Sequence, residues 1–203
     1  MRYRLLFALC ASLLLGFTLS CSKPEKELPD EDYEKLFPFG GIDKPRISYD
    51  EQNLLHCDPQ LTKAQFRYPG VEITENVREY TVTLTCSFDE TSLGGDVTSK
   101  FVVKYVGADK ALHLVASHPN TPDADAQMTQ GTPYTVTFKV SSGFPMYLAV
   151  DGRSHRGASV KARLSAQCAD GYTVVKTLET EQHQNAEGIN PLPAPYCNYL
   201  ILP

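Results

Sequence analysis

Through the middle of the chain, hydrophobic and polar residues alternate one for one. In Tyr80-Thr81-Val82-Thr83-Leu84-Thr85-Cys86-Ser87-Phe88 every second residue is apolar or aromatic and every intervening one carries a hydroxyl. Successive side chains of a strand point to opposite faces, so this run predicts a strand with one dry and one wet side. The same period links Tyr134, Val136, Phe138 and Val140, and again Ala158, Val160, Ala162, Leu164, Ala166 and Cys168. Shorter runs predict strands over residues 101–106, 112–116, 146–150, 172–178 and 199–202. Turn chemistry separates them at Gly94-Gly95-Asp96, Gly107-Ala108-Asp109, Ser142-Gly143-Phe144-Pro145, Asp151-Gly152 and Ala169-Asp170-Gly171, where Gly and Asp supply the turn conformations. No run of helical period competes with these strands.

About eight short amphipathic strands cannot hide their apolar sides in one sheet, because its dry face would stay wet. The pattern therefore predicts an all-β domain, a two-sheet antiparallel β-sandwich of immunoglobulin-like type. A closed β-barrel is the alternative, since strand count and alternation do not separate the two.

The N-terminus follows a different rule. Arg2 and Arg4 precede a continuous apolar stretch that ends at Thr18-Leu19-Ser20-Cys21-Ser22. The stretch is short for a bilayer span of about 20 residues and is followed by polar sequence, as in a secretory signal. Ser20-Cys21-Ser22 resembles the lipobox of exported lipoproteins of the Bacteroidetes type. That resemblance implies cleavage before Cys21, lipidation of its thiol and a membrane anchor in the bacterial cell envelope, at the outer membrane. Thr18 and Ser20 also satisfy an ordinary signal peptidase. Residues 1–20 are then the signal peptide and 21–53 a lipid-anchored, flexible tether, rich in charge and proline and interrupted by Leu36, Phe37 and Phe39. Acidic, proline-containing sequence of this kind buries too little surface to offset its ordering entropy. Residues 54–203 form the expected domain.

Cysteine parity fits this division. With Cys10 in the signal and Cys21 lipidated, Cys57, Cys86, Cys168 and Cys197 remain, an even set as expected in an oxidising compartment. Cys86 and Cys168 are in phase with inward residues of their strands, so a bridge between the sheets, nested inside Cys57–Cys197, is one expectation. Pairing of Cys57 with Cys86 and of Cys168 with Cys197 is another, and sequence does not choose among the three connectivities.

Charge narrows the partners. The chain holds 19 basic and 24 acidic residues, and losing Arg2 and Arg4 makes it more acidic, which argues against nucleic acid. No nucleophile elbow, zinc-protease, phosphate-loop or dinucleotide motif occurs. The densest polar group is Asp151-Gly152-Arg153-Ser154-His155-Arg156-Gly157. Arg153, His155 and Arg156, with Tyr147 upstream, are candidate ligands for a carboxylate or phosphate, guanidinium being suited to bidentate contact. Asp123 and Asp125 are candidate oxygen ligands for calcium, although two carboxylates fall short of the six or more oxygens that ion takes; no other cofactor is implied. Tryptophan is absent, which leaves Tyr68, Tyr105, Tyr147, Tyr196 and Tyr199 as the aromatic surface for any sugar. Three classes of function follow in order. The first is a non-enzymatic envelope protein that binds or scaffolds another envelope component, the second a glycan-binding accessory module, and the third an enzyme acting on acidic glycans. An open edge strand or a flat apolar patch would favour the first.

Overall fold

The computed structural model describes residues 57–91 and 97–203. The expected signal peptide, Cys21 and the tether lie outside the described residues, and the domain is described from Cys57 onward. Its ten strands are β1 (Glu79–Asp89), β2 (Lys100–Val106), β3 (Leu112–Ala116), β4 (Ala126–Gln127), β5 (Tyr134–Ser141), β6 (Pro145–Ser154), β7 (Ser159–Cys168), β8 (Leu178–His183), β9 (Asn190–Pro191) and β10 (Tyr196–Ile201). No helix occurs among the described residues.

The strands form two sheets. One has four strands in the order β5-β1-β7-β8; the other runs β10-β6-β2-β3-β4, with β9 also on β6. All pairs are antiparallel except β3 with β4. Neither sheet closes on itself, so the barrel alternative does not hold. One hydrophobic cluster draws on both sheets: Tyr80, Val82, Leu84 and Phe88 from β1, Val160 and Leu164 from β7, Phe101, Val103 and Tyr105 from β2, and Met146, Leu148 and Val150 from β6. Phe88 meets Phe101 at 6.3 Å and Phe138 stacks on Tyr105 at 6.1 Å between ring centroids, so aromatic contacts join the two sheets.

The faces away from this core differ. On the four-stranded sheet the outward positions are the hydroxyls and charges the alternation predicts. On the six-stranded sheet every residue of β6 from Pro145 to Val150 is buried, because residues 57–73 cross the outer face as a strap. Cys57 is bridged to Cys197, and the Tyr147 hydroxyl donates to the Asp58 carbonyl at 3.0 Å. The buried Lys104 ammonium donates to the carbonyls of Pro59 (2.6 Å) and Leu61 (2.8 Å). The strap leaves the sheet past the β5–β6 turn, where the Val71 amide donates to Gly143 at 2.8 Å. Gly143 has φ +85, and a Cβ there would lie 1.9 Å from the Val71 carbonyl oxygen, so a side chain would push the strap away.

Three expectations are corrected. Cys86 and Cys168 are free, buried thiols. Both point inward, but their strands are neighbours in one sheet, where Tyr80 faces Cys168 and Cys86 faces Ala162. That is six positions apart, roughly 20 Å at the strand rise, so neither the bridge between sheets nor the sequential pairing forms. The expected strand over 172–178 does not form before Leu178, where β8 begins: Asp170 accepts the amides of Tyr172 (2.8 Å) and Thr173 (2.9 Å), turning the chain, and Tyr172 and Val174 stand 77% and 81% exposed. The strand is instead β8, whose polar sequence suits a sheet edge. Asp151-Gly152 is not a turn either; β6 continues to Ser154 and reverses only over residues 155–158.

Candidate functional site

The residues singled out from the sequence do not converge. Tyr147 is 3% exposed beneath the strap, six positions along β6 from Arg153, or roughly 20 Å. Burial, with the Asp58 charge adding, pushes its hydroxyl up to about 12, which removes it as a base for proton abstraction at neutral pH. Arg153 is exposed and faces Lys100 across the β2–β6 pair, and Arg156 is ion-paired with Glu187. His155 is half-buried at the start of the β6–β7 turn. The calcium candidates are also apart in role. Asp125 holds Lys63 of the strap at 2.6 Å and accepts the Leu114 amide at 2.8 Å, while exposed Asp123 adopts a left-handed turn conformation, φ 61. Among the described residues no group of three or more His, Cys, Asp or Glu side chains could hold a metal ion.

Two histidines have partners the sequence did not reveal. His113 stacks on Tyr105 at 5.3 Å and lies 2.9 Å from Asp109 and 3.6 Å from Asp125; His183 lies 3.0 Å from Glu181. The hydrogen bond from His113 holds the Asp109 carboxyl below its ordinary range. The buried carboxylate of Glu90 is occupied structurally. Burial raises its pKa, but hydrogen bonds from the Ser99 and Thr98 hydroxyls and amides outweigh that and bring it below the ordinary value. Glu90 and Asp125 thus hold backbone amides in place.

The open feature is a sheet edge. Among the described residues β5 is the longest strand at any sheet margin: eight residues, paired with β1 on one side and with no described strand on the other. Among the described residues, no backbone hydrogen bond runs from 134–140 to any segment besides β1. Tyr134, Val136 and Phe138 point toward the core yet are only half-buried, Thr135 and Thr137 face out, and Lys139 is the strand's one charge. The opposite margin, β8, carries Glu179, Glu181 and His183, and its acids pair with Lys161 (3.0 Å) and Arg163 (3.9 Å). Charge of this kind guards an edge; β5 has little of it.

Beside the end of β5 lies a groove of about 610 Å³. It is lined by Lys139, Val140 and Ser141 of β5, by Tyr68, Val71 and Ile73 of the strap, and by Lys110 from the β2–β3 turn. Lys110 sits 5.4 Å from the Tyr68 ring centroid, a contact that holds an ammonium by the ring quadrupole. Among the described residues neither Lys110 nor Lys139 has a carboxylate partner, and Glu72 is the one acid in the described lining. A second groove of about 600 Å³ lies on the wet face of the four-stranded sheet, between Thr85, Ser87, Lys161, Arg163, Glu179 and Glu181, where the cations are already matched by acids. The alternation of β5 is legible in the sequence, but its place at a margin is not, and Lys110 and Lys139 carry no local signal that would have selected them. No protein-family model, curated protein or solved structure matches the chain.

Proposed function

We propose that this is an exported, lipid-anchored protein of the bacterial envelope whose domain, an immunoglobulin-like sandwich, binds another envelope protein without catalysis. The observation that carries the reading is the open eight-residue margin at β5, with half-buried apolar residues along it. An unpaired edge offers a row of backbone donors and acceptors and is a ready template for a partner strand. The Cys57–Cys197 bridge supports export, since such bonds persist in oxidising compartments. Support for the sandwich comes from the aromatic contacts that join the sheets across one core. Anchoring is tested by metabolic labelling with a radiolabelled fatty acid: label is expected on the wild type and absent from Cys21→Ala, and a labelled alanine variant would sink it. Binding is tested by placing a photo-crosslinking residue at Thr137 or at Glu181 in the intact envelope. A discrete adduct is expected from Thr137 alone; equal adducts from both positions would discard the edge as the contact.

The groove at Tyr68 favours a glycan as the second reading. Its weakness is that the Tyr68 ring is already engaged, with Lys110 over it and Gly70 so near that a Cβ there would lie 2.0 Å from the ring. A sugar ring would have to displace one of them to stack.

A further inference from the structure

We propose that β5 receives an extended acidic segment of a partner protein, added as a fifth strand to the four-stranded sheet, with Lys139 and Lys110 reading its carboxylates. The inference deepens the binding reading by naming the chemistry of the partner, and it is independent of how the protein is anchored.

Three observations set that chemistry. Among the described residues the backbone groups of β5 turned away from β1 have no strand to bond, so main-chain pairing is available over most of its eight residues. The pleat then dictates the partner's side chains. Residues of an added strand that point inward lie beside Tyr134, Val136 and Phe138, whose exposed remainder they would cover, and must be apolar; the intervening residues lie beside Thr135, Thr137 and Lys139 and must be polar. Charge selects among polar residues. Lys139 lies on β5 itself and Lys110 lines the adjoining groove; among the described residues neither is in an ion pair, although Glu72 lines the same groove and Glu79, on β1 beside Lys139, accepts from Ser141. At the other margin of the same sheet Lys161 and Arg163 are already paired with Glu181 and Glu179, so that edge offers an acidic strand no unpaired cation on β7. The recognised segment is thus one in which apolar and acidic residues alternate.

The test uses the mature full-length chain and three capped peptides of about nine residues, long enough to span β5. One alternates valine with glutamate, one alternates valine with lysine, and the third is the glutamate peptide N-methylated at every residue so that neither of its edges can donate to β5. Amide chemical shifts and hydrogen exchange report where each binds. The glutamate peptide is expected to bind and to protect amides within 134–141; the lysine and N-methylated peptides are expected to bind at least about tenfold more weakly. Lys139→Glu combined with Lys110→Glu, both at exposed positions, should weaken the glutamate peptide by about tenfold or more while leaving the melting temperature of the free protein close to wild type. Several results would overturn the proposal: equal affinity for the lysine peptide, undiminished binding of the N-methylated one, no binding of the glutamate peptide, or protection confined to β8 or β10. Self-association through 134–141 that the peptide cannot displace would also overturn it, since the occupant would then be a second copy. A protein that carries lipid at Cys21 and crosslinks through Thr137 but ignores the glutamate peptide would sink this inference alone.

Discussion

Among the described residues the six-stranded sheet is covered on both faces, by the shared core on one side and by the strap on the other; the four-stranded sheet is covered on one. Residue choice follows the difference. β6 reads Pro-Met-Tyr-Leu-Ala-Val over six consecutive buried positions, whereas β1 keeps strict alternation with threonines facing water. A sheet with two dry faces needs something to hold its cover in place, and here that is the Cys57–Cys197 bridge, the Lys104 ammonium and the Lys63–Asp125 ion pair. The sheet without a cover keeps its wet face polar, and one of its two edges stays open. Rigidity and availability are thus divided between the two sheets.

The largest break in this comparison should come from the strap's covalent tie. Replacing Cys57 and Cys197 by serine opens a closed loop of 140 residues and should cost about 5 kcal/mol on the chain-entropy estimate, with measured losses of native bridges at about 2–5 kcal/mol. Urea denaturation reads it, and a loss under about 1 kcal/mol would mean that the strap is held by packing alone. Next come matched positions on the two outer faces. Leu114→Ala, under the strap, should cost about 2–4 kcal/mol through lost burial and a cavity. Thr83→Ala, on the wet face with its hydroxyl 3.1 Å from that of Thr137, should stay within about 0.5 kcal/mol. Similar losses at both positions would contradict the division.

Lys104→Met should cost about 1–3 kcal/mol, because the carbonyls of Pro59 and Leu61 lose their donor under the strap. Faster amide exchange in the strap without a change in β1 would place the effect where the geometry does. The smallest expected effect is one of pH. Burial raises the pKa of Asp125, but hydrogen bonds from Lys63 and the Leu114 amide outweigh it, so the folded value is depressed. A depressed carboxyl stabilises above its unfolded pKa and loses that contribution as pH falls through the folded one. The wild type should therefore lose stability below about pH 4, the ordinary aspartate range, more than Asp125→Asn does. Identical acid profiles for the two proteins would assign the loss to other carboxyls.

Much of the architecture was legible in the residue pattern. The alternation in β1, β5 and β7 identified strands and their inward residues correctly, because burial on one face imposes a period of two. It misread residues 172–178, where Asp170 captures the backbone that a strand would use, and it passed over β8, whose pairing relies on backbone and cross-strand charge more than on apolar content. The strap was missed because residues 57–73 have no period of their own; they follow the surface they cover. For the candidate site, Tyr68 was visible only as one tyrosine among several. Arg153, His155, Arg156 and Tyr147 looked like a group because they are near in sequence, yet along an extended strand six residues span roughly 20 Å.

The order of residues alone was enough to set the strand character and dry side of β1, β5 and β7, the all-β class and the acidic charge of the chain, since these depend on local chemistry repeated at a fixed spacing. Which strands neighbour one another, which cysteines meet, which face is covered and which edge stays open required the folded chain. Those are relations between residues far apart in sequence, selected by how the apolar faces pack together, and no spacing along the chain encodes them. Cys86 and Cys168 show the limit: each points inward as its strand requires, and the pairing of β1 with β7 in one sheet still keeps them apart.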